Sequence, residues 1–252
     1  MENLISHTFE LVSWSAFLLG GLTILLGAVT QGTTGIGFGL IAAPILMLIN
    51  PIFVPGTILF LAFFVSILVA RRERHSIDRK GLTLAVIGRI IGAVTAGLTM
   101  AVIPTAMFGF IFGVLVLCAV LLSASGWKFM PSSRNLLTAG IASGYMGTIT
   151  SIGTPPIALV YQHQKGPIVR STIAVYLVIG TVVSLVTVTA VGKFTLEQML
   201  LSVLFLPLSL AGFRISSWII PRVKGKAVRY MILILSSMSA LVLIIKSLIM
   251  MM

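Results

Sequence analysis

Two short stretches of the chain place hydroxyls, an amide and glycines inside otherwise apolar sequence. The first holds Gln31, Thr33, Thr34, Gly35 and Gly37 within GAVTQGTTGIGFGLIAAPILMLINP, Gly27 to Pro51. The second holds Thr150, Ser151, Gly153, Thr154 and Pro155, just after Thr148. Residues of these types break a helix. At membrane depth a broken helix survives only where protein or a water-filled cavity surrounds its backbone. The returning arm is expected to start near Gly37 in the first stretch. In the second it is expected at Pro155-Pro156, with Thr154 as N-cap, because proline costs nothing where the N–H is unbonded anyway. Two helix N-termini facing each other, with free N–H groups and positive dipole ends, would form an anion site. Gln31, Thr33, Thr34, Thr148, Thr150, Ser151 and Thr154 would add donors. The bland alternative is that the hydroxyls satisfy local backbone while the glycines permit close helix packing.

Arg89 is the other residue of chemical interest. It lies within an apolar segment, roughly 12 Å along it at 1.5 Å per residue. A cation in lipid is costly and marks a functional site unless it snorkels to an interface. Arg89 therefore either balances an anionic substrate or reaches back to the interface. The flanking GRIIG, Gly88 to Gly92, also reads as a helix-packing motif. The five acids, Glu2, Glu10, Glu73, Asp78 and Glu197, fall in expected loops or at segment ends, as do His7 and His75. His163 falls at the end of a hairpin arm. No carboxylate is placed for a midplane proton relay or a sodium cage, and no acid, base and nucleophile share one depth. An enzyme is not expected, nor is a metal or other cofactor. GIGFG at Gly35–Gly39 lacks the strand, the third glycine and the downstream acid of a dinucleotide site.

The elements that must position these residues are membrane helices. Of 252 residues, 58% are hydrophobic and 9% charged, too few charges to cover a soluble surface. Mean hydropathy is +1.16. The net charge of +12 comes from Lys and Arg in short loops between apolar runs, so it reflects the positive-inside rule rather than nucleic-acid binding. Cys118 is the only cysteine, which excludes an internal disulfide. The N-terminus lacks the basic region of a signal peptide, so the first apolar run is expected to remain as a transmembrane segment.

Apolar segments fall at about 11–30, 37–49, 52–70, 81–103 and 105–123, then at 136–150, 155–164, 171–191, 196–213 and 227–249. A shift of 116 residues lays TGIG (Thr34–Gly37) over TSIG (Thr150–Gly153), Ile41-Ala42 over Ile157-Ala158, and Pro51 over Pro167. If each broken stretch enters and returns on one side, the loops at 71–80, 124–135, 164–170 and 214–229 share a face. That face would then hold nearly all the loop Lys and Arg, with only Lys193 opposite. Single crossings would instead split the charges almost evenly. The expectation is an all-α polytopic membrane protein of two inverted-topology repeats, each a broken-helix hairpin plus three transmembrane helices. Residues 1–123 and 136–252 form the repeats, 124–135 is a cytoplasmic linker, and both termini lie outside. Inverted repeats with discontinuous helices are the architecture of secondary transporters. An anion channel with the same hairpins lining a pore is the alternative. GFIFG at Gly109–Gly113 suits a homodimer seam and intrachain packing equally.

At the two hairpins the chain resembles the sulfite exporter TauE/SafE family. The segments that carry the likeness are QGTTGIGFGLIAAPIL, Gln31 to Leu46, and GTPPIALVYQHQKGPIVRSTIAVY, Gly153 to Tyr176. Thr154 stands where the family more often has glycine before Pro-Pro, which adds a hydroxyl to the site. The resemblance implies export of a small anion, such as sulfite or an organosulfonate, across a bacterial cytoplasmic membrane. It also suggests that Arg170, in the second segment, anchors a loop at the cytoplasmic face.

Overall fold

A computed structural model describes residues 8, 10–35, 38–73, 77–127, 129–164, 166–219 and 225–251. Among them are ten helices of seven residues or more and no strand. They are α1 (Trp14–Thr34), α2 (Phe38–Ile49), α3 (Gly56–Glu73), α4 (Arg79–Val102), α5 (Thr105–Ala124), α6 (Ser133–Thr150), α7 (Thr154–Tyr161), α8 (Gly166–Ala190), α9 (Leu196–Ile219) and α10 (Gly225–Met251). A 3₁₀ turn at Pro51–Phe53 separates α2 from α3. Six of the helices, α1, α4, α5, α8, α9 and α10, are long and apolar enough to cross a membrane. The chain is a multi-pass membrane protein. Its outer surface agrees: Leu18, Leu22, Ile87, Val94, Leu98, Ile234, Met238 and Ile245 are all exposed, and a continuous apolar surface of that kind is stable only in lipid. Trp14, Trp218 and Tyr230 are about two-thirds exposed near helix ends, where amphipathic rings anchor at the headgroups.

Hydrogen bonds fix which helix ends share a face. Asn50 donates to the Leu11 carbonyl at 2.9 Å, so α2 returns to the end where α1 begins. Gln162 donates to the Trp127 carbonyl, so α7 returns to the end where α6 begins. Both broken stretches are therefore hairpins. On the Gln162 side, Arg170 pairs with Glu73 at 3.0 Å and Tyr161 donates to Asp78 at 2.9 Å. This end gathers Arg71, Arg72, Arg79, Lys80, Arg134 and Arg170. On the other side Thr57 donates to the Gln198 carbonyl at 3.2 Å, next to the turn that carries Lys193.

The breaks coincide under the 116-residue shift. Helices end at Thr34 and Thr150, the next residues Gly35 and Ser151 are left-handed (φ 75° and 63°), and helices restart at Phe38 and Thr154. Packing follows the same exchange. α4 lies along α6 as α9 lies along α1, α9 touches α3 as α4 touches α8, and α10 touches α2 as α5 touches α7. The closest crossing is that of α4 and α6. A Cβ on Gly88 would overlap the Leu137 carbonyl, on Gly92 the Ile141 carbonyl, on Gly140 the Ala85 carbonyl and on Gly144 the Arg89 carbonyl. GFIFG serves intrachain packing, with Gly109 against Ser247 and Gly113 against Ile244 of α10.

α1 continues helically through Gln31–Thr34, where the sequence suggested that the break had already begun. Helix satisfies those backbone groups internally, and the threonine hydroxyls bond back to carbonyls of their own helix. α9 runs six residues beyond the expected 213. Gly37, His7 and His75 lie outside the described residues.

Gly92→Val or Gly144→Val drives a side chain into backbone, a change that costs about 1–3 kcal/mol or more. Thermal unfolding of the purified protein should show Tm lower by several degrees, whereas Leu98→Ala on the lipid face should leave it nearly unchanged.

Candidate functional site

Gln31 sits in the last turn of α1 and is 4% exposed. Its Nε2 donates to Ser66 Oγ of α3 at 3.0 Å, and its Oε1 accepts the Phe38 N–H at 3.3 Å. One amide thus joins the end of α1, the start of α2 and the middle of α3. The Phe38 N–H, expected to be free for an anion, already has a partner. The second hairpin uses different groups. Thr150 Oγ1 donates to Met146 O at 2.7 Å and accepts from Ile152 N at 3.2 Å. Ser151 donates to the Pro55 carbonyl at 3.2 Å, and Ser143 of α6 donates to the Gly153 carbonyl.

The N-cap of α7 is Gly153, which offers no side-chain bond, and Thr154 is its first helical residue. This corrects the assignment of Thr154 as cap. It also changes the chemistry of that helix end. Pro155 and Pro156 carry no N–H, so α7 presents fewer free donors than an ordinary helix N-terminus.

The hairpin tips do not meet end to end. Arg72, in the last turn of α3, donates to the Gly32 carbonyl at 2.7 Å, while Ser151 reaches Pro55 just before α3 begins. The tips pass each other toward opposite ends of α3. They touch where Gly39 lies against Ser151 and Ile152, a contact that any Cβ on Gly39 would disrupt. Beside it is a cavity of about 20 Å³ whose lining includes Gln31, Ser66, Arg89, Ser151, Gly153 and Thr154, room for about one water molecule. Leu40 belongs both to this lining and to that of a larger cavity of about 440 Å³ with Thr33, Thr34, Pro155 and Gln162 in its wall. Gly35 and Thr150 shape the turns without lining either cavity.

Arg89 does not snorkel. It is 1% exposed. Nη1 donates to Ser143 O at 3.1 Å and Ser143 Oγ at 2.9 Å, and Nη2 to Gly180 O and Ser184 Oγ, both at 3.1 Å. The guanidinium lies 5.6 Å from the Tyr176 ring centroid, within cation–π range. Glycines make room for it, since a Cβ on Gly147, Gly153 or Gly180 would crowd its nitrogens. Four bonds from a charged donor, each worth about 1.5–3 kcal/mol, hold it without a carboxylate. Only Nε is left without a partner. Arg89 is therefore unable to clamp an anion in bidentate fashion, but among the described residues no carboxylate pairs with its charge at the cavity wall. Ser66, Ser143, Tyr176, Gly180 and Ser184 were not singled out in the sequence. They are ordinary apolar-segment residues there, and only the fold brings Ser143 and Ser184 to Arg89. Among the described residues no group of three His, Cys, Asp or Glu could hold a metal ion.

Residues 19–243 match the family model described as sulfite exporter TauE/SafE. The chain belongs to that family, whose members are membrane transporters of sulfur-containing anions. No curated protein and no solved structure matches the chain.

Gly153→Ala should destabilise the protein by pushing on Nη1 of Arg89. A double-mutant cycle with Arg89→Met, read by thermal unfolding, should show coupling of about 0.5–3 kcal/mol; additive effects would mean that the two do not share this contact.

Proposed function

We propose that the chain carries a small oxyanion, sulfonate or carboxylate out of a bacterial cell by alternating access around its two hairpins. The observation that carries this reading is the buried Arg89 cation, paired with no carboxylate among the described residues, beside the cavity where the hairpins cross. The field of that charge, the Thr154 hydroxyl and Ser66 would favour an anion there over a neutral solute or a cation. An inside-negative potential drives an anion outward without a coupling ion, in keeping with the absence of a carboxylate among the described residues that line this cavity.

The exchange-related packing of helices and the coincident breaks support two inverted repeats of residues 1–123 and 136–252. The gathering of Arg and Lys at one end supports that end facing the cytoplasm, which would put both termini outside. Carrier action is favoured over a channel by the Gly39–Ser151 contact, beside which the space between the hairpins narrows to a cavity of about 20 Å³.

Inside-out vesicles should accumulate radiolabelled sulfite or a short sulfonate in a saturable manner. Thr154→Val should weaken apparent affinity about tenfold, the worth of one bond to a charged group, without loss of folded protein. Absence of transport for every sulfur oxyanion, sulfonate and short carboxylate would remove the reading, and unitary conductance steps in a planar bilayer would convert it to a channel. In a Cys118→Ala background, cysteines at positions 127 and 163 should react with an impermeant reagent from the cytoplasmic side, and one at 193 from outside.

A further inference from the structure

α3 ends in Arg72-Glu73, and this pair meets both the first hairpin and α8. Arg72 Nη2 donates to the Gly32 carbonyl at 2.7 Å. Gly32 lies in the last turn of α1, where carbonyls lack partners within the helix and the dipole end is negative, so a cation is well placed there. Arg72 Nε lies 3.3 Å from one carboxylate oxygen of Glu73, and Arg170 Nε of α8 lies 3.0 Å from the other. Ser171, also of α8, donates to the Glu73 carbonyl. Glu73 itself stands where helix electrostatics disfavour it, since a carboxylate in a last turn faces the negative dipole end. The two arginines that it joins account for its place.

α3 is fastened to the hairpins at two further places. Ser66 meets Gln31 in the buried interior, and the Pro55 carbonyl accepts from Ser151 of the second hairpin. Unlike Ser66 and Gln31, the Arg72–Glu73 pair reaches solvent, with side chains 30% and 21% exposed. Ion pairs open to water stabilise little, and water can stand in for each of their bonds. Such an attachment suits a contact that forms and breaks in every transport cycle. The second half carries no counterpart, since Arg72 and Glu73 correspond under the 116-residue shift to Val188 and Thr189. We propose that Glu73 is a positioning residue for transport. It keeps Arg72 on the Gly32 carbonyl and Arg170 against α3, which seats the first hairpin and shuts the basic end. Release of these contacts opens that end toward Leu40, which lines the cavities on both sides of the first hairpin's returning arm. The inference rests on the alternating-access reading above and names the contact that sets one of its two gates.

The test is labelling of a Leu40→Cys reporter by an impermeant thiol reagent, with the full chain in a Cys118→Ala background in inside-out vesicles. Leu40 is 7% exposed, so the parent should react slowly. Glu73→Gln and Arg170→Gln should each raise the labelling rate about fivefold, a population shift within reach of one or two exposed ion pairs. Arg170→Lys, which keeps the charge, should stay near the parental rate. Tm of the two neutral variants should fall by no more than about 2–4 °C. Gly92→Val, which loosens the α4–α6 crossing instead, should lower Tm without raising the rate. Parental labelling in both neutral variants would overturn the inference. A fall in Tm of about 10 °C or more, or loss of folded protein, in both would overturn it too, by making Glu73 a structural clamp. An equal rise in Gly92→Val would do the same, by showing general loosening. Saturable anion uptake by the parent, measured in the same vesicles, separates the two claims. Uptake with unchanged labelling removes only the role of Glu73, whereas absence of uptake for every anion class named above removes the transport reading and this role with it.

Discussion

A backbone that leaves its helix inside an apolar medium must find every hydrogen-bond partner within the protein. That requirement governs both hairpins, and the two halves of the chain meet it with different side chains. In the first, the Gln31 amide bridges the gap and ties it to Ser66. In the second, the position equivalent to Gln31 under the 116-residue shift is Gly147, and the space is filled by the Arg89 guanidinium from a neighbouring helix. Ser143 completes that arrangement by accepting from Arg89 while donating to the Gly153 carbonyl. The site is thus a consequence of repairing two interrupted helices, once with a neutral amide and once with a cation.

The same comparison shows where the likeness between the two halves stops. α4 and α6 approach through four glycines, which allows Arg89 to reach across the narrow crossing. In the corresponding pair, α9 and α1, Gly212 alone meets backbone, at the Leu25 carbonyl, while Gly21 and Gly32 face the side chains of Leu208 and Ser216, and the residue equivalent to Arg89 is Phe205, stacked on Phe17 with ring centroids 4.7 Å apart. One crossing carries charge and the other carries aromatic packing. A field fixed on one side of the hairpins results, although the helix order repeats.

Much of this could be read from residue types. The hairpins announced themselves because Gln, Thr, Ser, Gly and Pro interrupt apolar runs where lipid tolerates no loose backbone, and Arg89 stood out as a cation in an apolar segment. The clustering of Arg71, Arg79, Lys80, Arg134 and Arg170 indicated which helix ends share a face. What stayed hidden was long-range or depended on a single residue of register. Nothing local marks Ser143 or Ser184 as partners of Arg89, since they lie 54 and 95 residues away. Thr154 was displaced from its expected capping role because α7 begins one residue earlier than the proline pair suggested. The choice between a dimer seam and internal packing for Gly109–Gly113 needed the position of α10. The extension of α1 through Thr34 followed from hydroxyls bonding back to their own helix, which masks them as helix breakers.

The Gly39–Ser151 contact has a further consequence for the cell's energy economy. A membrane protein that binds anions is a hazard when idle, because a continuous thread of water through it would let protons and small ions leak and collapse the electrochemical gradient. Two backbones pressed together without an intervening side chain form an insulating plug only an atom or two thick. Under the proposed carrier mechanism such a plug would keep the resting protein electrically silent, and a small displacement of either hairpin would remove it.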